Sequence, residues 1–152
     1  MGAYEEQVEV KTLLLCVDGS AASTAATQVA LGLAADWPAA IHALFVIEDA
    51  GLAALVDEAV DGQGSADRLA EAGHASLARV ATLAAKAGVE LECSVDQGEP
   101  FERILEHARA LHVDFIVMGR NGRRGPGRAL VGSEVEHVLE FTEWPLIVVP
   151  AP

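Results

Sequence analysis

Hydrophobic positions along this chain follow two rhythms that take turns. Short runs of consecutive apolar or β-branched residues read as strands, and longer Ala- and Leu-rich stretches read as helices. "TLLLCVD" (Thr12–Asp18) is a buried strand ending at a Gly-Ser turn. "SAASTAATQVALGLAA" (Ser20–Ala35) is a helix whose first amides Ser20 is placed to cap. "AIHALFVIED" (Ala40–Asp49) is a second strand. Gly51–Ser65 has no clear period and reads as a variable excursion. "ADRLAEAGHASLARVATLAAKAG" (Ala66–Gly88) is a long helix closed by Gly88 after Lys86, a usual stop signal. "VELECSVDQG" (Val89–Gly98) alternates apolar and polar residues, as a half-exposed strand does. Pro100 opens a third helix, "PFERILEHARALHV". "DFIVMG" (Asp114–Gly119) is another buried strand, a last helix starts at Ser133, and "PLIVVP" (Pro145–Pro150) is the final strand.

The resulting order, β-α-β-α-β-α-β-α-β, predicts an α/β fold with a mainly parallel sheet and helices on both faces. No internal repeat is visible, and one domain is expected over residues 1–152, with its core at about 10–150. In such sheets ligands bind beyond the carboxyl ends of the strands, where neighbouring connections leave on opposite faces. The segments at Asp18 and Gly119 are the candidates for one shared crevice.

Composition narrows the classes. The chain is 51% hydrophobic but only 5% aromatic, so its core must rest on Ala, Val and Leu. The longest strongly apolar runs, such as Leu13–Val17, are far shorter than the roughly 20 residues a bilayer demands, so no membrane association is expected. The acidic start "MGAYEEQVEV" lacks the basic and apolar regions of a signal peptide, and Glu6 breaks the myristoylation pattern. A cytoplasmic location is the expectation. A net charge of −13 argues against nucleic acid and anionic membranes as partners. Cys16 and Cys93 fall in strand-like segments without a CxxC spacing and are expected to be reduced core residues. The five histidines show no metal-ligand spacing with Cys or carboxylates, and no metal site is expected.

Against this acidic background, five of the 14 glycines and four of the 10 basic residues fall between Gly119 and Gly132. "GRALVGS" (Gly127–Ser133) has glycines at Walker spacing, yet Ser133 stands where the phosphate-clamping Lys belongs. "GPGRAL" lacks the last glycine of the dinucleotide fingerprint. What remains is a strand, then Gly119-x-x-Gly122, nine residues, and Gly132-Ser133 opening a helix. Gly119, Gly122 and Gly132 would let the backbone approach a ligand closely. The first amides of the helix offer an anion the positive end of its dipole, with Ser133 adding a hydroxyl and Arg120, Arg123, Arg124 and Arg128 adding charge at the rim.

Gly-x2-Gly-x9-Gly-Ser after the fourth strand, an early "VDGS" and a final "LIVV" together resemble the nucleotide-binding branch of the universal stress protein (UspA-like) family, over essentially the whole chain. The resemblance implies an open five-stranded parallel sheet of order 3-2-1-4-5, of the adenine nucleotide alpha hydrolase-like type, with ATP or AMP, with or without Mg²⁺, lying over the strand ends. It implies that Asp18 holds the ribose, that Cys16 and Val17 line the base side, and that the backbone at Val46 meets the adenine edge. Met118, Gly119, Arg120, Asn121 and Gly122, with Gly132 and Ser133, would wrap the ribose and phosphates. It also implies a homodimer through the last strand, Pro145–Pro150. Two neighbours depart from the family pattern. Val135 removes a possible hydroxyl contact. Glu134 brings a carboxylate beside the phosphate position, where it would point to solvent, pair with an arginine, or hold a Mg²⁺ that bridges to phosphate.

Each feature also has an explanation that needs no ligand. "SEVE" puts Ser133 and Glu136 at capping-box spacing, Asp18 suits a turn before a helix, and the arginines suit a solvated loop. Three functions stay open: a nucleotide-dependent stress or regulatory protein with at most slow ATP hydrolysis, a Mg²⁺-dependent nucleotide hydrolase on the same sheet, and an interaction module that uses no nucleotide.

Overall fold

The computed structural model describes residues 9–48, 65–122 and 131–152. The excursion from Gly51 to Gly64 and the residues Arg123, Arg124 and Arg128 lie outside the described residues. The elements are β1 (Thr12–Cys16), α1 (Ala21–Asp36), β2 (Ala40–Glu48), α2 (Ser65–Ala87), β3 (Leu91–Gly98), α3 (Pro100–Leu111), β4 (Phe115–Gly119), α4 (Ser133–Phe141) and β5 (Leu146–Val149). The strands form one sheet in the order β3-β2-β1-β4-β5, every neighbouring pair parallel. This is the order that the family resemblance implies.

The uninterrupted apolar run of β1 follows from its place at the centre of a sheet covered on both faces. Leu13, Leu14 and Leu15 are all fully buried, yet they serve two cores. Leu13 and Leu15 join Ala43, Phe45 and Val117 under α1 and α2. Leu14 joins Leu44, Ile116 and Met118 under α3 and α4. Fully burying one such side chain contributes about 1.5–3 kcal/mol, so this three-residue run secures both layers.

Helix ends follow local chemistry. Ser20 caps α1, its hydroxyl accepting from the Ser23 amide at 3.1 Å. Gly88, at φ +68, takes the left-handed turn that ends α2, and Pro100 stands in the first turn of α3. β3 is an edge strand, which corrects the expectation that both cysteines are core residues: Cys93 is exposed and Cys16 half-buried, and both are free thiols. α1 is fastened along β4 at both ends. Trp37, at its C-terminal end, stacks on Phe115 with ring centroids 5.5 Å apart, and its first turn meets the end of β4 at Gly119. No helix among the described residues is long and apolar enough to cross a membrane.

Candidate functional site

The two central strands set the site. β1 pairs with β2 only as far as Cys16↔Leu44, after which the Val17 amide donates to the Leu44 carbonyl at 2.9 Å. β2 continues to Glu48 alongside β3, so Val46 lies beyond the last β1 pairing. The chain leaves β1 towards α1 on one face, and α4, which follows β4, packs on the other. The notch between these departures is a crevice of about 530 Å³, within the roughly 300–1,000 Å³ usual for small-molecule sites.

Cys16, Val17, Asp18 and Val46 line it from the sheet, and Met118, Gly119, Asn121 and Gly122 from the end of β4. Gly132, Ser133, Glu134 and Val135 close it from the start of α4, with Pro100 and Ile104 of α3 opposite. Among the described residues expected to meet the nucleotide, Arg120 alone is not in this wall. Its side chain is exposed while its backbone braces the loop, the amide donating to Val149 and the carbonyl accepting from Gly132, both at 2.7 Å.

Asp18 serves the turn with one carboxylate oxygen and faces the crevice with the other. Oδ1 accepts from the Ser20 amide at 2.8 Å, and the Asp18 amide donates to Ser23 Oγ at 3.1 Å. Oδ2 points towards Gly122, where an added Cβ would come within 3.2 Å of it. Ser20 reaches across to the Asn121 carbonyl at 3.4 Å. Asn121 is itself a buried polar residue of the crevice wall.

Of these glycines, Gly119 proves to be needed by the protein itself. A Cβ on Gly119 would lie 2.7–2.8 Å from the backbone and Cβ of Ala22 and the amide of Ser23, closer than real Cβ atoms come. One on Gly132 would touch Arg120 and Asn121 at 3.4–3.5 Å. Gly132 has an ordinary extended backbone and is the N-cap of α4, with no side-chain hydrogen bond to the helix start. The capping-box reading of "SEVE" therefore fails: Ser133 is already inside the helix, exposed, and its hydroxyl makes no hydrogen bond among the described residues.

Glu134 takes a course outside the three considered for it. Its Oε2 accepts from the Phe101 amide at 3.1 Å, so α4 supplies the cap that Glu99, the N-cap residue of α3, does not. Burial, then the carboxylates of Glu99 and Glu48, push the Glu134 acid above its usual range, against the Phe101 amide and His137. One ligand atom from each of Glu99, Glu134 and His137 lies within 4.8 Å of the others. The sequence reading missed this grouping. Its one legible trace is Glu134-x-x-His137, a spacing that puts two donors on one helix face. Cys16 makes a poor nucleophile, because burial, and after it the Asp18 carboxylate, push its thiol well above the usual range and keep it protonated.

The model of the Universal stress protein family matches residues 9–150. The chain belongs to the universal stress protein family. Universal stress protein MJ0531 of Methanocaldococcus jannaschii is 30% identical over 142 residues, covering 93% of this chain and 83% of that protein. The structure of the universal stress protein UspA from Lactobacillus plantarum superposes with a TM-score of 0.84 at 25% identity, covering 94% of this chain and 99% of that one. A universal stress protein family protein from Arabidopsis thaliana, At3g01520, seen with AMP bound, shares the fold with a TM-score of 0.65 at 16% identity, covering 93% and 92% of the two chains.

Proposed function

We propose that this universal stress protein binds an adenine nucleotide, AMP or ATP, in the crevice at the strand ends, and that occupancy is a regulatory signal. The observation that carries the reading is the start of α4. Its first amides lack a side-chain cap, and Gly132 and Ser133 line a crevice large enough for a nucleotide. Unpaired amides at the positive end of a helix suit a phosphate. Asp18 Oδ2 would accept from a ribose hydroxyl, Cys16 and Val17 would line the base, and the main chain at Val46 would meet the adenine edge. The backbone from Met118 to Gly122 would follow the sugar and phosphates. The AMP bound by the Arabidopsis protein of the same fold supports this choice of ligand. A triphosphate would bring Mg²⁺, held chiefly through phosphate oxygens and water.

The same reading makes the protein a homodimer. β5 is a four-residue edge strand, and Leu139 and Phe141 of α4 are 61% and 54% exposed, an apolar surface that a second copy would cover.

Mass spectrometry of small molecules released from freshly purified, denatured protein tests the assignment, with calorimetric titration of AMP, ADP and ATP beside it. An adenine nucleotide in the released fraction, or saturable heat with at least one of the three, is expected. The absence of both signals would sink the reading.

A further inference from the structure

We propose that Glu99, Glu134 and His137 form a binding site for a divalent transition-metal ion, of the zinc or manganese class, at the rim of the crevice. The three donors come from two helix starts that pack on each other. Glu134 and His137 stand three apart on α4 and so share a face, the Glu-x-x-His arrangement by which helices present a carboxylate and an imidazole to one ion. Glu99 is the residue before α3. Their nearest ligand atoms already lie within 4.8 Å of one another. An ion bound at about 2.0–2.2 Å holds its donors roughly 3–4 Å apart. The remaining contraction is within reach of the exposed Glu99 and His137 side chains.

Phe101 supports this set from behind. Its amide donates to Glu134 Oε2 at 3.1 Å, which orients that carboxylate and leaves Oε1 available. Its ring lies 4.9 Å from the His137 ring and 5.7 Å from that of Phe141, fixing the imidazole's neighbours. Partners that orient ligands in this way are a regular part of metal sites. None of the three donors forms an ion pair among the described residues. The positive ends of α3 and α4 each oppose a cation with about half a charge, which two carboxylates outweigh. The imidazole favours zinc, copper, iron or nickel over Mg²⁺ or Ca²⁺, and the two carboxylates admit Mn²⁺ as well.

Glu134 also lines the crevice, so a bound ion would offset the negative rim formed by Glu48, Glu99 and Glu134 and favour an anionic ligand beside it. That consequence rests on the nucleotide reading; the metal site does not.

The test uses tag-free, chelator-treated protein without nucleotide, titrated calorimetrically with Zn²⁺, Mn²⁺ and Mg²⁺. One Zn²⁺ or Mn²⁺ per chain is expected, with Mg²⁺ at least about 100-fold weaker. Glu99→Gln and His137→Asn should each weaken binding on the order of 10–100-fold. Glu140→Gln, an exposed position on the same helix, should leave it unchanged. The Co²⁺-loaded protein should show visible bands that His137→Asn alters. Circular dichroism of each variant establishes that it is folded, and Glu134→Gln, which keeps an acceptor for the Phe101 amide, is a second route to the same loss. Zinc binding that survives all three substitutions, or Mg²⁺ binding as tight as Zn²⁺, overturns the site. Adding AMP to the metal-loaded protein is a separate arm, so a failure of nucleotide binding leaves the metal result standing.

Discussion

Three helices begin around the crevice, and their first amides meet three different fates. α1 is capped from within its own chain segment by Ser20. α3 is capped by Glu134, from a helix 33 residues further on. α4 has no side-chain cap and faces the crevice at Gly132 and Ser133. A helix start without a partner is costly unless water or a ligand supplies one. The difference therefore separates two helix ends that serve the fold from one left for something else.

The comparison breaks most readily at Gly119, the point where β4 meets the first turn of α1. Gly119→Ala forces a methyl into backbone 2.7 Å away, and overpacking of this kind costs up to about 3 kcal/mol. Urea denaturation should show the midpoint drop, and an unchanged midpoint would mean that α1 does not press on the loop. Next comes Ser133→Ala. Its hydroxyl supports nothing in the described fold, so stability should move by no more than about 0.5 kcal/mol. AMP affinity should fall about tenfold or more, the worth of a hydrogen bond to a charged group. Calorimetry and a thermal melt on one preparation separate the two quantities. Ser20→Ala should do the reverse, costing about 1 kcal/mol of stability through the lost cap while leaving AMP affinity within about twofold. Equal behaviour of the two serines would erase the distinction drawn between α1 and α4.

The smallest effect concerns pH. α1 is held by a group that does not titrate, whereas α3 is tied to the edge of the sheet by groups that do. His107 Nε2 lies 2.8 Å from Asp96 Oδ2, and the rings of His42 and His107 are 6.0 Å apart. Burial, then His107, hold His42 below its ordinary range, with Glu92 pulling the other way. The unfolded chain then takes up the proton first, near pH 6.5. The resulting stability is present above that pH and is lost as the pH falls through the lower folded value. Asp96, held down mainly by its hydrogen bond to His107, adds a loss only in stronger acid. Glu134, held above its usual range in the fold, works in the opposite direction towards acid, so in a Glu134→Gln background thermal midpoints between pH 7 and 5 should slope downward with acid. His42→Gln should flatten the slope, and Ser20→Ala should shift the curve without changing its slope.

Much of this was legible in the sequence because it is local. Ser20 before an Ala-rich helix, Gly88 after Lys86 and the apolar run of β1 each carry their own reason within a few residues, and nine elements followed from such signals. What escaped depends on neighbours distant in the chain. The glycine at 119 was read as making room for a ligand, but the backbone that needs the room is that of Ala22, nearly a hundred residues earlier. Glu134 could not be placed because its partner is the main-chain amide of Phe101, a donor that every residue type but proline carries. A strand-like segment without a CxxC spacing suggests a core place for Cys93, but it does not tell that β3 lies at the margin of the sheet. At Ser133 the capping-box alternative falls away, since Gly132 already supplies the helix start.

The contact between Gly119 and α1 has one further consequence. A wall that is already rigid has no freedom to surrender when a guest arrives, and so adds selectivity by shape without an entropic toll. On that side the protein acts as a fixed die, accepting or refusing a guest by its contour.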